Sequence, residues 1–315
     1  MKPSGSVLIF VVWTVILLSI LVAGLGAQGL SALTLMDRLD QRLDASYIAR
    51  AGVQQAVSLL AEDATPSVDW LSDEWARGAD GMAQQPFGRG FFTLELIDEE
   101  RKLNVNTAPT DILATLLRRV GQVKEDEARV MADAIEDWRD EDHESRPDGA
   151  ENFYYLGFPD AYESKDGPFE NLEELLLVRG MTPAVYARIA PALTVHGAGG
   201  LNINTAGRAV LRALGLSEVG VSGILADRAG PDQQEGTPDD HYITATSAIT
   251  GELAAAVPVT DQARLTQLVQ QNLFTVRSED FQVSVTASVT GAAALPVHVQ
   301  CVTTRDGIIK TWAEQ

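Results

Sequence analysis

Between Lys2 and Asp37 the chain carries no charged side chain, and within that stretch Val7 to Leu25 is apolar almost without interruption. A run of this length matches the ~20 residues a helix needs to cross a hydrocarbon core, where every main-chain polar group has to be satisfied internally. The run is expected to span a membrane. Lys2 and the amino terminus are the only charges on its short side, so positive-inside bias puts that end in the cytoplasm and the rest across the membrane. A cleaved secretory signal is the alternative, with small residues at Gly24-Leu25-Gly26, but the apolar run exceeds the usual signal core.

From Met36 to Glu62 there is no proline and only Gly52, while Leu39, Leu43, Tyr47, Val57 and Leu60 recur at roughly helical spacing. The pattern predicts one helix from Ser6 to Glu62, a rod ~85 Å long at about 1.5 Å per residue. Periodicity alone does not join the two halves, so an ordinary anchor followed by a separate helix stays open. The stripe Leu39, Leu43, Tyr47, Val57 and Leu60 is the candidate face for partner helices, although it also has to hold the protein's own sheet.

The 44 acidic residues against 24 basic ones give a formal charge of −20. That balance opposes contact with phosphate backbones or anionic lipid except through a local basic patch, and the sequence contains none. With 315 residues and 45% hydrophobic content, two or three folded units are expected. Cys301 is the single cysteine, which excludes an internal disulfide and leaves the redox compartment undetermined.

Thr65 to Gly90 reads as an irregular connection, and Gly90 to Asp98 alternates as a strand. Three further alternating runs, Asp280–Val289, Pro296–Thr303 and Gly307–Trp312, read as an antiparallel meander. One strand near 90 and three beyond 280 predict a small antiparallel sheet interrupted by helical material. Within the interruption, Leu103-Asn-Val-Asn-Thr-Ala108 and Leu201-Asn-Ile-Asn-Thr-Ala206 are near copies, each followed by a helical pattern. Their Asn and Thr oxygens are expected to cap the helices that follow.

Between residues 125 and 174 there are 18 acidic side chains against 4 basic ones. The densest part, Asp137 to Glu151, surrounds the turn Arg146-Pro-Asp-Gly-Ala150. Converging carboxylates suit a hard cation with six to eight oxygen ligands, Ca²⁺ over Zn²⁺, and a solvated acidic surface is the other reading. A second acidic loop lies at Gly230–Asp240. Enzymatic chemistry finds little support: His143, His196, His241 and His298 are scattered, and neither a nucleophile elbow nor a zinc-protease helix is present. Leu172 to Ala192 resembles a helix-hairpin-helix turn, which makes a membrane-anchored nucleic-acid-binding protein one alternative. Glu170, Glu173 and Glu174 beside it oppose a phosphate backbone.

The short basic leader ending in Gly5, followed by an apolar helix from Ser6, resembles the class III leader of type IV pilins and type II secretion pseudopilins. The resemblance implies cutting after Gly5 by a prepilin peptidase and methylation of the Ser6 amine. Most such proteins carry Glu five residues after the cut, whereas this chain has Phe10. The family carboxylate pairs with a neighbouring subunit's ammonium, because an unpaired charge in lipid is costly. A subunit without it suits the first place in a filament.

The paired Asn-[Val/Ile]-Asn-Thr-Ala segments, Ala134-Ile-Glu-Asp-Trp-Arg-Asp-Glu-Asp142, Pro147–Tyr155 and Leu172–Thr182 are similar to the minor pseudopilin K family of type II secretion, over nearly the whole chain. That family also lacks the leader-proximal glutamate. The resemblance implies an α+β fold: a long pilin-like helix on a small antiparallel sheet, with a large, mainly helical insertion. The expected division is leader 1–5, helix 6–62, sheet 63–106 and 274–315, a first inserted SAM-like helical domain 107–200 and a second inserted segment 201–273. It further implies structural Ca²⁺ at the acidic loop, with Asp137, Asp140, Asp142 and Glu151 as ligands. The expected role is a non-enzymatic tip subunit, a single-pass protein of the bacterial inner membrane with its soluble part in the periplasm. Its partners would be the minor pseudopilins I and J, with H below, and nucleic acid would not be one. A minor pilin of a type IV pilus is the other filament reading.

Overall fold

The computed structural model describes residues 5–76, 83–291 and 295–315. Helix α1 runs unbroken from Gly5 to Ala61, so the anchor and the amphipathic half are one rod. None of Val7–Leu25 is buried, and its mean hydropathy is 2.9, which fits a segment long and apolar enough to cross a bilayer. In the other half, Ala45, Ile48, Ala49, Val53, Ala56 and Leu60 are buried at three- and four-residue spacing, which gathers them on one face.

That face lies on a five-stranded antiparallel sheet in the order β1 (Gln85–Phe87), β2 (Gly90–Asp98), β7 (Asp280–Val289), β8 (Val297–Thr304) and β9 (Ile309–Glu314). The register pairs Gly90 with Val289 and Asp98 with Phe281. Phe92, Leu94 and Leu96 alternate into a core shared with Phe281, Val283, Val285 and Val299. Small residues on α1 permit the close approach: a Cβ on Gly52 would lie 2.7 Å from a Val285 methyl and 3.0 Å from the Phe92 ring. Strand β1 had no signature in the sequence, because Gln85-Pro86-Phe87 is too short to alternate and is exposed throughout.

The candidate partner stripe divides. Leu39, Leu43 and Tyr47 are more than half exposed, and Val57 is half-buried against Gly307. Leu60, at 1% exposure, belongs to the protein's own core and is removed from the partner face.

The inserted lobe has its own hydrophobic core and contains two similar halves. The first holds β3 (Leu103–Asn104), α2 (Thr110–Arg119), α3 (Glu125–Arg139), α4 (Asn152–Tyr155), α5 (Pro183–Ile189) and β4 (Leu193–Thr194). The second holds β5 (Leu201–Asn202), α6 (Arg208–Ala213), α7 (Glu218–Arg228), α8 (Ile249–Glu252), α9 (Val259–Gln270) and β6 (Phe274–Thr275). Each half closes through a two-residue parallel ladder, β3 with β4 and β5 with β6. The expected boundaries therefore move. Residues 103–106 and 274–275 are part of the lobe, and the pilin-like sheet ends at Asp98 and resumes at Asp280.

The repeated asparagines do a different job from the expected one. The residues before α2 and α6 are Pro109 and Gly207, without a side-chain cap. Asn104 and Asn202 instead accept the main-chain N–H two residues on, at 2.8 and 3.0 Å. Asn106 bonds both the N–H and the C=O of Phe169 (2.7 and 3.0 Å), and Asn204 does the same with Ile243 (2.8 and 2.9 Å). A primary amide matches an extended main chain in this two-bond fashion, so each half uses one asparagine to fasten a distant loop.

Replacing Gly52 by Val will force α1 off the sheet. We expect a loss of ~1–3 kcal/mol in urea unfolding of the detergent-held protein, against less than about 0.5 kcal/mol for Leu43→Ala on the exposed face.

Candidate metal centre and the buried acids

The acidic loop begins where α3 ends. Asp137, in the last turn, is fully buried, and its carboxylate accepts the Arg146 N–H at 3.2 Å and the Ser145 hydroxyl at 3.3 Å. A Cβ on Gly149 would fall 2.0 Å from Asp137 Oδ2, so only glycine fits there. Asp137 thus folds the loop back onto the helix end, and its oxygens are engaged by loop donors.

The fold brings Asp140, Asp142 and Glu151 together, with one oxygen from each within 4.8 Å of the others. A second triad, His143, Glu151 and Asp166, shares Glu151 within the same limit. Asp142 accepts the Glu144 N–H at 2.8 Å. The Ser164 hydroxyl lies 3.2 Å from Glu151 Oε2 and 2.6 Å from Asp166 Oδ1. Asp140 Oδ1 and Glu151 Oε1 are buried and have no hydrogen-bond partner among the described residues.

An unpartnered carboxylate oxygen in a buried position is expensive, and here two of them face one loop. Burial first, then Asp142 and Asp137, pushes the Asp140 carboxyl up to about 6. Burial likewise raises Glu151, with further repulsion from Asp137, Asp166 and Asp140. A divalent cation reverses both effects, and an all-oxygen set with spare lone pairs fits Ca²⁺. Of the four expected ligands, Asp140, Asp142 and Glu151 come together, while Asp137 stands behind them. Asp166 is the member that sequence reading missed, since it lies 15 residues beyond Glu151.

The second acidic loop is satisfied differently. Arg228 pairs with Glu235, with Nε at 3.0 Å. Asp240 accepts the Gly236 N–H and the Ser72 hydroxyl, both at 2.7 Å, and Asp239 accepts the Thr237 hydroxyl at 2.7 Å. These acids hold the loop to itself and to the segment following α1, where Trp70 stacks on Tyr242 at 3.9 Å.

In the hairpin at 172–189, Arg179 donates to the Gly149 carbonyl at 2.7 Å and Arg188 donates to the Gly121 carbonyl. Both guanidinium groups that a phosphate would need are committed to main-chain oxygens. Cys301 is buried in β8, and burial pushes its thiol up to about 11, which leaves it un-ionised at neutral pH. The expected processing site falls at the edge of the structure: α1 begins at Gly5, before Ser6, and residues 1–4 of the expected leader lie outside the described residues.

A third acidic group joins the segment after α1 to the turn that follows β8. Asp63 pairs with Arg305 at 2.7 Å, and Arg305 also pairs with the fully buried Asp69. Asp73 accepts the Trp70 N–H at 3.0 Å. Burial pushes Asp69 up to about 6 and Asp73 to about 7, from an ordinary 3.8. Folded carboxyls raised in this way bind protons that the unfolded chain has released, so their contribution to stability falls as pH rises from about 4 to about 7. Asp73→Asn is expected to flatten that slope and to raise the unfolding free energy at pH 7.5 by on the order of 1–3 kcal/mol, given ~1.4 kcal/mol per pKa unit. Urea unfolding from pH 4.5 to 8 measures both effects.

Comparison with known proteins gives a consistent set of matches. Residues 90–198 match the family model for type II secretion system protein K. Type II secretion system protein K of Aeromonas hydrophila is 31% identical over 180 residues, covering 50% of this chain and 53% of that protein. The protein K of Pectobacterium carotovorum subsp. carotovorum is 31% identical over 112 residues, covering 35% and 34%, and that of Klebsiella pneumoniae 26% over 164 residues, covering 47% and 49%. The chain thus spans from a third to about half the length of these relatives. In fold it is similar to a chain of the GspK-GspI-GspJ complex of the enterotoxigenic Escherichia coli type 2 secretion system. That match has a TM-score of 0.68 and 18% identity, and covers 88% of this chain and 98% of that one.

Proposed function

We propose, from the membership of residues 90–198 in the type II secretion protein K family, that the chain is a minor pseudopilin at the tip of a type II secretion pseudopilus. The observation that carries this reading is α1: one 57-residue helix joins a membrane-length apolar segment to a sheet-packed half. A helix of this kind delivers the soluble domain to a fixed height above the bilayer and bundles with similar helices of other subunits. The chain's role is structural, as a subunit that starts or caps the filament, and it is not an enzyme.

Two features favour the tip. Phe10 occupies the place where a carboxylate would receive the ammonium of a neighbouring subunit, so α1 has no charge to offer upward within the bilayer. The lobe between the β2 and β7 strands is larger than the sheet that carries it, and its bulk obstructs a further subunit above. The partners in this reading are the minor pseudopilins I and J, with H below. Leu39, Leu43, Tyr47 and Val57 form the α1 surface offered to them. The GspK-GspI-GspJ complex named for the structural relative supports this choice. The localisation is the bacterial inner membrane, with sheet and lobe in the periplasm. Mass spectrometry of the mature protein from native membranes tests the class: we expect an N-methylated Ser6 terminus, produced by a prepilin peptidase cutting after Gly5. An intact Met1 or a terminus near Ala27 would sink the pilin reading.

The acidic loop is, in this reading, a structural Ca²⁺ site held by Asp140, Asp142 and Glu151 with Asp166 close by, and with Asp137 shaping the loop. The ion offsets mutual repulsion and staples the 26-residue crossing from Asp140 to Lys165, a closure that no disulfide assists. Calcium at a hundredfold excess over its dissociation constant is expected to stabilise the protein by about 2.7 kcal/mol. Asp140→Asn combined with Glu151→Gln should abolish the calcium-dependent rise in melting temperature. An equal rise in that variant would move the ion elsewhere.

A further inference from the structure

The four-residue helix α4 follows the metal-loop residue Glu151 directly, and its orientation is fixed from inside. Tyr155 is fully buried and meets Trp138 edge-on at 5.3 Å, while its hydroxyl accepts the Arg179 N–H at 3.3 Å. Asn152 receives the Ser164 N–H at 2.8 Å. With these two residues turned inward, their neighbours are turned outward. Phe153 is 95% exposed, Leu156 51% and Phe158 43%. Phe158 meets Tyr154 edge-on at 5.3 Å and stacks on Tyr162 at 6.4 Å. The Tyr162 hydroxyl donates to the carbonyl of Leu177, itself 47% exposed. The rings of Tyr154, Phe158 and Tyr162 thus form a row from α4 to the 172–177 turn, with Phe153 and Leu156 exposed beside it in the same short stretch.

An isolated exposed apolar side chain is ordinary, but a contiguous aromatic patch on a strongly charged protein marks an interaction site. Tyr154 and Tyr162 brace α4 through Tyr155, at 5.3 and 5.2 Å, and Arg179 lies over the Tyr154 ring at 4.8 Å, whereas Phe153 and Leu156 face solvent. The surroundings of the patch select the occupant. Glu144, Asp160, Glu163, Glu170 and Glu173 are exposed in the segments that bound the patch, within a stretch bearing 18 acidic against 4 basic side chains. A second copy of this chain would bring the same charge and be repelled, and so would an anionic bilayer.

We infer that Phe153, Leu156 and Phe158 form a docking platform for a segment of another protein that presents an aromatic or large aliphatic side chain between lysines or arginines. The apolar side chain covers the rings, and the flanking cations meet the acidic rim. Rim charges of this kind set the encounter rate and exclude acidic competitors, while the aromatic centre sets the lifetime of the contact.

The full chain held in detergent micelles, at fixed calcium and moderate salt, is titrated with three labelled 12-residue peptides, and binding is followed by fluorescence anisotropy. One peptide alternates Lys and Trp along a Gly-Ser backbone, one has Ser for Trp, and one has Glu for Lys. We expect saturable binding of the first, with at least about tenfold weaker binding of the other two. Phe153→Ser with Leu156→Ser should weaken the first peptide by about tenfold or more, with the circular dichroism spectrum unchanged because both side chains are on the surface. Undiminished binding by that variant would overturn the platform and assign the peptide to charge alone. If the wild type in nanodiscs binds phosphatidylethanolamine and phosphatidylglycerol vesicles and the variant does not, the occupant is a membrane and the inference fails. Self-association that the same substitutions abolish would defeat it equally, in favour of a second copy.

Discussion

The placement of the lobe on the sheet rests on three consecutive carboxylates at the end of β2. Asp98 accepts the hydroxyls of Thr205 and Ser278 at 2.6 and 2.9 Å. Glu99 accepts the Thr194 hydroxyl and pairs with Lys102 at 2.9 Å. Glu100 faces the Ala198 and Asp280 main-chain N–H groups at 3.4 Å. Asp280 completes the joint, accepting the Gly197 N–H at 2.7 Å and the Lys310 ammonium at 2.6 Å. One turn of chain thus grips the first half of the lobe, the second half and the returning strand. All three acids are buried, and burial raises Asp98 and pushes Glu100 up to about 7. Hydroxyl and amide donors hold these groups in place of a full set of cations, so the joint is directional. Directional bonds in low dielectric fix geometry more firmly than they add net stability.

In the proposed tip role the lobe acts by position, and a rigid joint matters for that reason. In the proposed role, an insertion on flexible linkers could swing aside and let another subunit dock, whereas one held by Asp98, Glu99 and Glu100, and again by the Asn202 amide on the Asp69 carbonyl at 3.2 Å, cannot swing without breaking buried bonds. The Trp70–Tyr242 stack adds a third attachment, from the segment just after α1. In the proposed anchored arrangement, the same helix that sets the height of the sheet above the membrane sets the height of the lobe and of its acidic loop.

Much of this was legible in the chain. The continuous helix was readable because an uncharged run and a periodic run meet without proline, and the inserted lobe because alternating strands stand on both sides of helical patterns. What escaped had a common cause. Leu60 sits on the same helical period as Leu39 and Tyr47, and the period does not say which turns the sheet covers. The asparagines of the two repeats have the chemistry of helix caps, but the groups they bond lie at Phe169 and Ile243, far away in sequence. The carboxylates of the acidic loop are alike in sequence, and only the close approach of Gly149 reveals that Asp137 is already engaged. The orphan oxygens of Asp140 and Glu151, and the outward rings of α4, depend on which neighbours are spent inward.

The internal duplication explains why the two acidic loops differ. Each half ends its second helix in an arginine that caps the carbonyls of the repeated motif: Arg139 bonds those of Val105 and Ala108, and Arg228 those of Ile203 and Ala206. A buried guanidinium also needs a carboxylate. In the second half Glu235 supplies it from the loop, and the remaining loop acids are spent on hydroxyl and amide donors. In the first half Glu136 supplies it from within the helix, so the acidic loop owes nothing to the arginine. Its carboxylates are left facing one another, with Asp140 and Glu151 each retaining an unpartnered oxygen. The same scaffold thus produces one self-contained loop and one that keeps unpartnered carboxylate oxygens, the place proposed for the cation. The difference lies in which residue neutralises the arginine, not in how acidic each loop is.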